Sequence, residues 1–445
     1  MPTPLPAHWS DDEKRVFTHL VGGTAFDDRT AGERGAEPTA ALHVRVSGQF
    51  LAEVIRQHMD KLPIGLQLQG VAVTGEVNIE NVSVEKIVSL EHCFFDGPII
   101  GRSSKFSTFS LSGSVLTGYL DLRACVFSGP VFLRHGLKSL TCVLLRDVSV
   151  TGPVDCQGAT FKYNAAGIPA DILADEECFG LARSSASALF WKEMQAPPAG
   201  IVSFRNCRIG SLRDDINDPD NVARDWPAPG KLRISGLKYD ERTSTTAASL
   251  RAWIELQDPK ESRYGSYQTA IKLLLDSGDE LNANDLIVAK QRYIAHREQS
   301  VLNRWLRRLY ILLSQAGIDT DRIAWITVAA FVVSWVGICI ADRHGQFIPK
   351  SSDIVKDRCF VLANPCTQGW VEHHGHFRVP PYYPKFSSIG YAVDLFVPGI
   401  SYGVAADWRP AHGWMTVVTL LIRAAGLLCT GLLVVCVSGI ARFAR

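Results

Sequence analysis

The chain has 445 residues, with 46 lysines and arginines against 45 aspartates and glutamates, and 47% of its residues are hydrophobic. That length leaves room for two or three domains and a substantial core. The balanced charge removes any global electrostatic argument for nucleic-acid binding.

The N-terminus, "MPTPLPAHWSDDEKRVF", has no apolar core and carries acids where a signal peptide would carry bases. The N-terminal region is therefore expected to stay in the cytoplasm. "SGQFLAEVIRQHMDKL", Ser47 to Leu62, offers a serine N-cap and apolar residues at helical spacing. Residues 1–62 read as a helical cap.

A phrase then recurs in several spellings: VTGEV at Val73, FDGPI at Phe95, LTGYL at Leu116, FSGPV at Phe127 and VTGPV at Val150. Its glycines, Gly75, Gly97, Gly118, Gly129 and Gly152, lie mostly about twenty-two residues apart with one half-step. A weaker period of five links Leu111 with Leu116, Val126 with Val131, and Leu140 with Leu145 and Val150. Neither a helix nor a flat sheet has that period. A coil of four faces, each about five residues long with one inward apolar side chain, does. The fold class expected for residues 63–245 is mainly β, a right-handed parallel β-helix. Glycine is expected at its corners, for positive φ. Residues 162–224 read as a looser turn with an insertion, and residues 225–245 as closing strands. Cys93, Cys125, Cys142, Cys156 and Cys207 read as small buried hydrophobes. No C-x-x-C signals a redox dithiol or zinc knuckle.

From Thr246 the period becomes helical, and residues 246–313 are expected to form a helical hairpin and a juxtamembrane amphipathic helix. In "LNRWLRRLYILL" the bases Arg307 and Arg308 stand beside Trp305, Leu309 and Leu312, which suits a helix lying among headgroups. Residues 314–445 are expected to form a membrane domain. Ile323–Ala341 and Ala424–Ala441 are charge-free and about long enough to cross a hydrocarbon core of ~30 Å. Lys290, Arg292, Arg297, Arg304, Arg307 and Arg308 precede the first run, and Arg442 and Arg445 follow the second. The positive-inside rule then places both termini in the cytoplasm and the 342–412 loop outside. In that loop Cys359 and Cys366 bracket an Asn-Pro turn and suit a disulfide. Glu372, His373, His374 and His376 in "VEHHGHFR" are the candidate metal ligands. Arg423 is read as snorkelling at the outer interface if the last span starts at Ala424, and as an intramembrane charge if it starts at Trp414; the first reading is preferred.

Several stretches, "VTGPVDCQGATF", "RIGSLRDD", "DWPAPGKLRISGLKYDE", "LLDSGDELNANDLIVAKQRYIAHR" and "YAVDLFVPGI", resemble a family of bacterial membrane proteins with degenerate, pentapeptide-like β-helix repeats. Some members are loosely labelled membrane-associated oxidoreductases. The resemblance implies a bacterial inner-membrane protein and carries over no catalytic residue. There is no G-x-G-x-x-G after a strand, no flavin or haem signature and no readable triad, so neither an enzyme nor a cofactor is expected. The expected function is a non-catalytic, membrane-tethered recognition or scaffold protein that presents its β-helix to a macromolecular partner. Membrane lipid and an unknown protein on a β-helix face are the expected partners. The alternative is an oligomeric two-span pore gated by the β-helix.

Overall fold

The computed structural model describes residues 5–29, 36–166, 168–173, 176–214, 216, 219–243, 246–314, 320–364, 366 and 369–437. The chain divides into two units, Met1–Ile287 and Val288–Arg445.

The first unit is built on a parallel β-solenoid. One coil comprises the strands Val71–Thr74, Val77–Asn78, Ser83–Val84 and Val88–Glu91. The next repeats them as Phe94–Phe95, Ile99–Ile100, Lys105–Phe106 and Phe109–Ser110. Ala72 pairs with Phe94, Val77 with Ile99, Ser83 with Lys105 and Val88 with Phe109, all in parallel. Four faces therefore close each coil, as the five-residue period requires. One face runs as a seven-stranded sheet from Val77–Asn78 to Leu232–Arg233.

Each two-residue strand sends one side chain inward. Phe95, Phe106, Leu116, Phe127, Val150 and Phe161 fill the bore. Two inward assignments need correction. Val126 is 44% exposed and Phe127 takes its place, while Leu140 is half-buried beside the inward Ser139. The cause is coil length. Val115 pairs 21 residues back with Phe94 but 23 residues forward with Lys138, so a strict period of five slips.

Two residues before many inward side chains stands a small one that turns back on the neighbouring coil. Ser104 Oγ donates to Ile79 O at 2.8 Å and Ser114 Oγ to Leu90 O at 2.8 Å. Cys125 Sγ donates to Gly101 O at 2.8 Å and Cys207 Sγ to Leu181 O at 2.6 Å. Serine and cysteine are thus interchangeable here, because the position needs a small buried group with a donor. Burial pushes the thiols of Cys93, Cys142, Cys178 and Cys207 up to about 12. A thiol held protonated is a poor nucleophile.

The repeated glycines serve a purpose other than the one expected. Gly75 has φ +77°, but Gly97, Gly118, Gly129 and Gly152 do not adopt positive φ. A Cβ on Gly118 would lie 2.4 Å from the carbonyl carbon of Gly97, and one on Gly97 2.3 Å from Gly75 O. These glycines stack coil on coil, and contact excludes a side chain. The left-handed corners belong to other residues. Asn81, Ser103, Ala124, Asp147, Arg183 and Asn206 form one ladder, and His92 and His135 alternate with Gly70, Gly113 and Gly158 in another. Stacked backbone hydrogen bonds, such as Ser103 N to Arg123 O at 2.9 Å and Ala124 N to Arg146 O at 2.9 Å, hold these corners against their local strain.

Both ends of the coil are covered. The helix Gly48–Glu53 is capped by Ser47, whose side chain accepts from Phe50 N. Gly48 rests on the backbone of Glu76 and Val77 in the first complete coil. At the far end Trp191, Trp226 and Trp253 pack in series, with ring centroids 5.5 and 5.4 Å apart. Trp253 belongs to the closing helix Ala247–Glu255. Beside it lies a buried pair, Arg242 Nη2 and Asp214 Oδ2 at 2.6 Å, with the guanidinium over the Trp253 ring. Two further helices follow, Tyr264–Asp276 and Glu280–Arg297, where helical periodicity was expected.

The second unit contains two helices long and apolar enough to cross a membrane, with candidate spans Asp321–Arg343 and Gly413–Val435. The second begins eleven residues before the expected start at Ala424 and is described to Val437. The expected end at Ala441, with Arg442 and Arg445, lies outside the described residues. Residues 342–412 are not a plain loop. They hold two small antiparallel strand pairs and a helix, Ser388–Phe396.

Candidate membrane site

The helix Val301–Ser314 leads toward the first apolar helix, Thr320–Arg343. Leu302, Trp305, Leu306, Leu309 and Leu312 are all exposed, a stripe at helical spacing. Arg307 turns away from it, donating to Gln291 Oε1 at 2.9 Å, while Arg308 is exposed. An apolar stripe flanked by bases is what a headgroup region accommodates.

At the other end of the first apolar helix stands a small folded platform. The strand Phe347–Pro349 pairs antiparallel with Trp408–Pro410, and Val371–His373 with Phe377–Val379. Cys359 and Cys366 are joined in a disulfide with Cα atoms 5.1 Å apart. The four candidate metal ligands separate into two groups. His373 Nε2 lies 2.8 Å from Asp342 Oδ1, and His374 Nε2 lies 3.0 Å from Asp342 Oδ2. Glu372 instead pairs with Arg378 at 3.5 Å, and the His376 ring hydrogen-bonds Arg343 O at 2.9 Å. Glu372 leaves the cluster because successive residues of a strand point to opposite faces, and His376 leaves it because it lies beyond the turn at Gly375. Asp342 replaces them. Its signal in the sequence was an acid ending an otherwise uncharged run.

Between the platform and the second helix, the chain dips back. Ser387 caps the helix Ser388–Phe396 by accepting from Gly390 N at 3.2 Å. This inter-span helix descends along the first apolar helix. Its start is fixed by Cys339 Sγ to Ser388 Oγ at 3.1 Å, and its end by Phe331 and Phe396 with ring centroids 5.7 Å apart. Eight residues separate the contacts on either helix, about 12 Å at the α-helical rise. Phe331 lies twelve residues from Arg343, about 18 Å along the helix, past the middle of a core ~30 Å thick. The second apolar helix gives the same depth. Its Gly426, thirteen residues from Gly413, meets the inter-span helix so closely that a Cβ there would lie 2.1 Å from Phe396 O.

From Phe396 the chain returns without regular structure. Asp394 holds the return by accepting from the backbone N–H of Tyr402 and of Ala405, the latter at 2.9 Å. Val404 packs against Gly390, one turn from the start of the inter-span helix. Residues 398–402 are all exposed, Tyr402 by 71%. Among the described residues, no hydrogen bond reaches the carbonyls of Pro398 through Tyr402. Arg423 is exposed at the eleventh residue of the second apolar helix. The helix that carries it starts at Gly413, not Ala424.

No family model, curated protein or solved structure matches the chain.

Proposed function

We propose that the chain is a non-catalytic, two-span protein of the bacterial inner membrane whose copies assemble around a water-filled path, with the β-solenoid as its recognition and gating module. One observation carries this over a simple tether. The irregular return starts at Phe396, as deep as the midpoint of both apolar helices, and among the described residues no hydrogen bond reaches the carbonyls of its exposed residues 398–402. Lipid cannot hydrogen-bond that backbone, so non-helical chain at such depth must be buried in protein or line water. Within one chain it is neither. Copies facing one another across this segment would enclose it, and rings of backbone carbonyls are a standard means of conducting ions. Arg423 supports the same reading, since a charge within a span belongs beside a partner or a water-filled cavity.

The resemblance to pentapeptide-like membrane proteins, both termini in the cytoplasm and a protein partner on a solenoid face belong to the same proposal. The test is a cysteine at Ser401, treated with a short bismaleimide in membranes. Copies linked to one another through that cysteine are expected. A chain that stays single at every protein density returns the tether reading.

A further inference from the structure

The platform carries a second site that the pore does not need. The geometry points to a Zn2+ site formed by Asp342, His373 and His374, which fastens the 371–379 hairpin to the end of the first apolar helix.

Three ligand atoms, one from each residue, lie within 4.8 Å of one another. A tetrahedral centre with bonds of about 2.0–2.1 Å sets its ligand atoms about 3.3 Å apart. The two histidines now stand on different oxygens of Asp342, at 2.8 and 3.0 Å, so binding through one oxygen turns the carboxylate and draws three atoms now within 4.8 Å of one another to that spacing. The ligand chemistry selects the metal class. Two imidazoles and one carboxylate suit Zn2+ and its first-row neighbours such as Fe2+, whereas Ca2+ and Mg2+ take oxygen sets; Zn2+ is the ion assigned. Three protein ligands leave the fourth position to water.

The site is built rather than adventitious. Asp342 is buried, and the His373 side chain is only 13% exposed. The His373 ring stacks on Phe377 at 5.0 Å and packs on Trp408 at 5.1 Å, which fixes its orientation before any metal arrives. Trp408 is anchored in turn by its Nε1 donating to Pro384 O at 3.1 Å. His374 is 47% exposed and forms the open side through which a hydrated ion enters. Each histidine must present an unprotonated Nε2 to the metal, so binding shifts the imidazole proton to Nδ1 and competes with the present hydrogen bonds to Asp342.

The consequence is mechanical. Asp342 and Arg343 end the first apolar helix, and the hairpin that meets them packs through Phe377 and Val379 into the same core as Tyr391 and Leu395 of the inter-span helix. Zn2+ would thus stiffen the support of that helix from the platform side.

The experiment titrates Zn2+ calorimetrically into full-length protein purified in detergent and stripped with a chelator, with Co2+ as a visible-spectrum substitute. One saturable ion per chain is expected, with the d–d bands of a four-coordinate centre for Co2+. His374→Ala, at a half-exposed position that the fold does not require, is expected to weaken binding at least a hundredfold. Glu372→Gln and His376→Ala are expected to leave it within a factor of about three. Absence of saturable binding in the unmutated chain, or equal binding after His374→Ala, overturns the assignment.

Discussion

Gly118 and Gly75 occupy the same place in the repeated phrase, yet replacing each with alanine should have unequal effects. At Gly75 an added Cβ meets nothing within 4 Å, and the cost is that of holding an alanine at φ +77°. That is about 1–2 kcal/mol. At Gly118 the Cβ would lie 2.4 Å from Gly97 C and 2.5 Å from both Gly97 O and Pro98 N, all backbone. Relief requires the coils to part by about 1 Å. The flanking bonds Thr117 N to Phe95 O at 3.0 Å and Ile99 N to Tyr119 O at 2.9 Å would then stretch to about 4 Å, beyond hydrogen-bonding range. Two lost bonds at about 1 kcal/mol each, added to an overpacking cost of about 1–3 kcal/mol, give about 3–5 kcal/mol. Urea unfolding of the full chain, followed by labelling of the buried Cys93 and Cys125, reports on this region directly. Gly118→Ala should unfold at clearly lower urea than Gly75→Ala. Equal midpoints, or the reverse order, would refute the stacking argument.

Leu116→Asp, placing a carboxylate in the bore where Leu116 is 1% exposed, should cost several kcal/mol and abolish cooperative unfolding of the solenoid in the same assay. Burial alone would raise the Asp121 carboxyl, but bonds from Arg123 and Arg102 outweigh it and hold it below the usual carboxylate range. Its stabilising contribution is therefore complete above the unfolded value of 3.8 and lost as pH falls through the depressed folded value. Asp121→Asn should be less stable than the parent at neutral pH and should lack this part of the acid loss, measured by urea midpoints against pH. A cysteine at Ser300 should react with impermeant thiol reagents only after cells are opened, with Cys359 and Cys366 paired outside; labelling in intact cells would reverse the topology.

The coil was legible because its constraint is local and repeated. An apolar residue every five positions, punctuated by glycine, follows from a bore that admits one side chain per face. Its exact phase was not legible, since coils of 21 and 23 residues look alike in composition, and Val126 and Phe127 are both apolar. The glycines were found but misread. Close stacking and positive φ both call for glycine, and only the neighbouring coil distinguishes them. Asp342 escaped because its partners stand 31 and 32 residues away in the chain. The inter-span helix left a fainter mark: nine mostly apolar residues behind a serine cap, too short to cross a membrane, between two runs long enough to do so. Arg423 hid the true start of the second helix, because a charge was taken for a boundary.

Copies of the membrane unit that enclose water around residues 397–403 would conduct ions, and electrical recording reads that conduction. Full-length protein reconstituted into planar bilayers should show discrete single-channel currents. Gly426→Leu, which drives a side chain into the Phe396 backbone, should abolish them without preventing membrane insertion, and substitutions at Ser401 or Tyr402 should change their amplitude. A bilayer that stays electrically silent with correctly inserted protein would contradict the account and leave the two helices as an anchor for the solenoid.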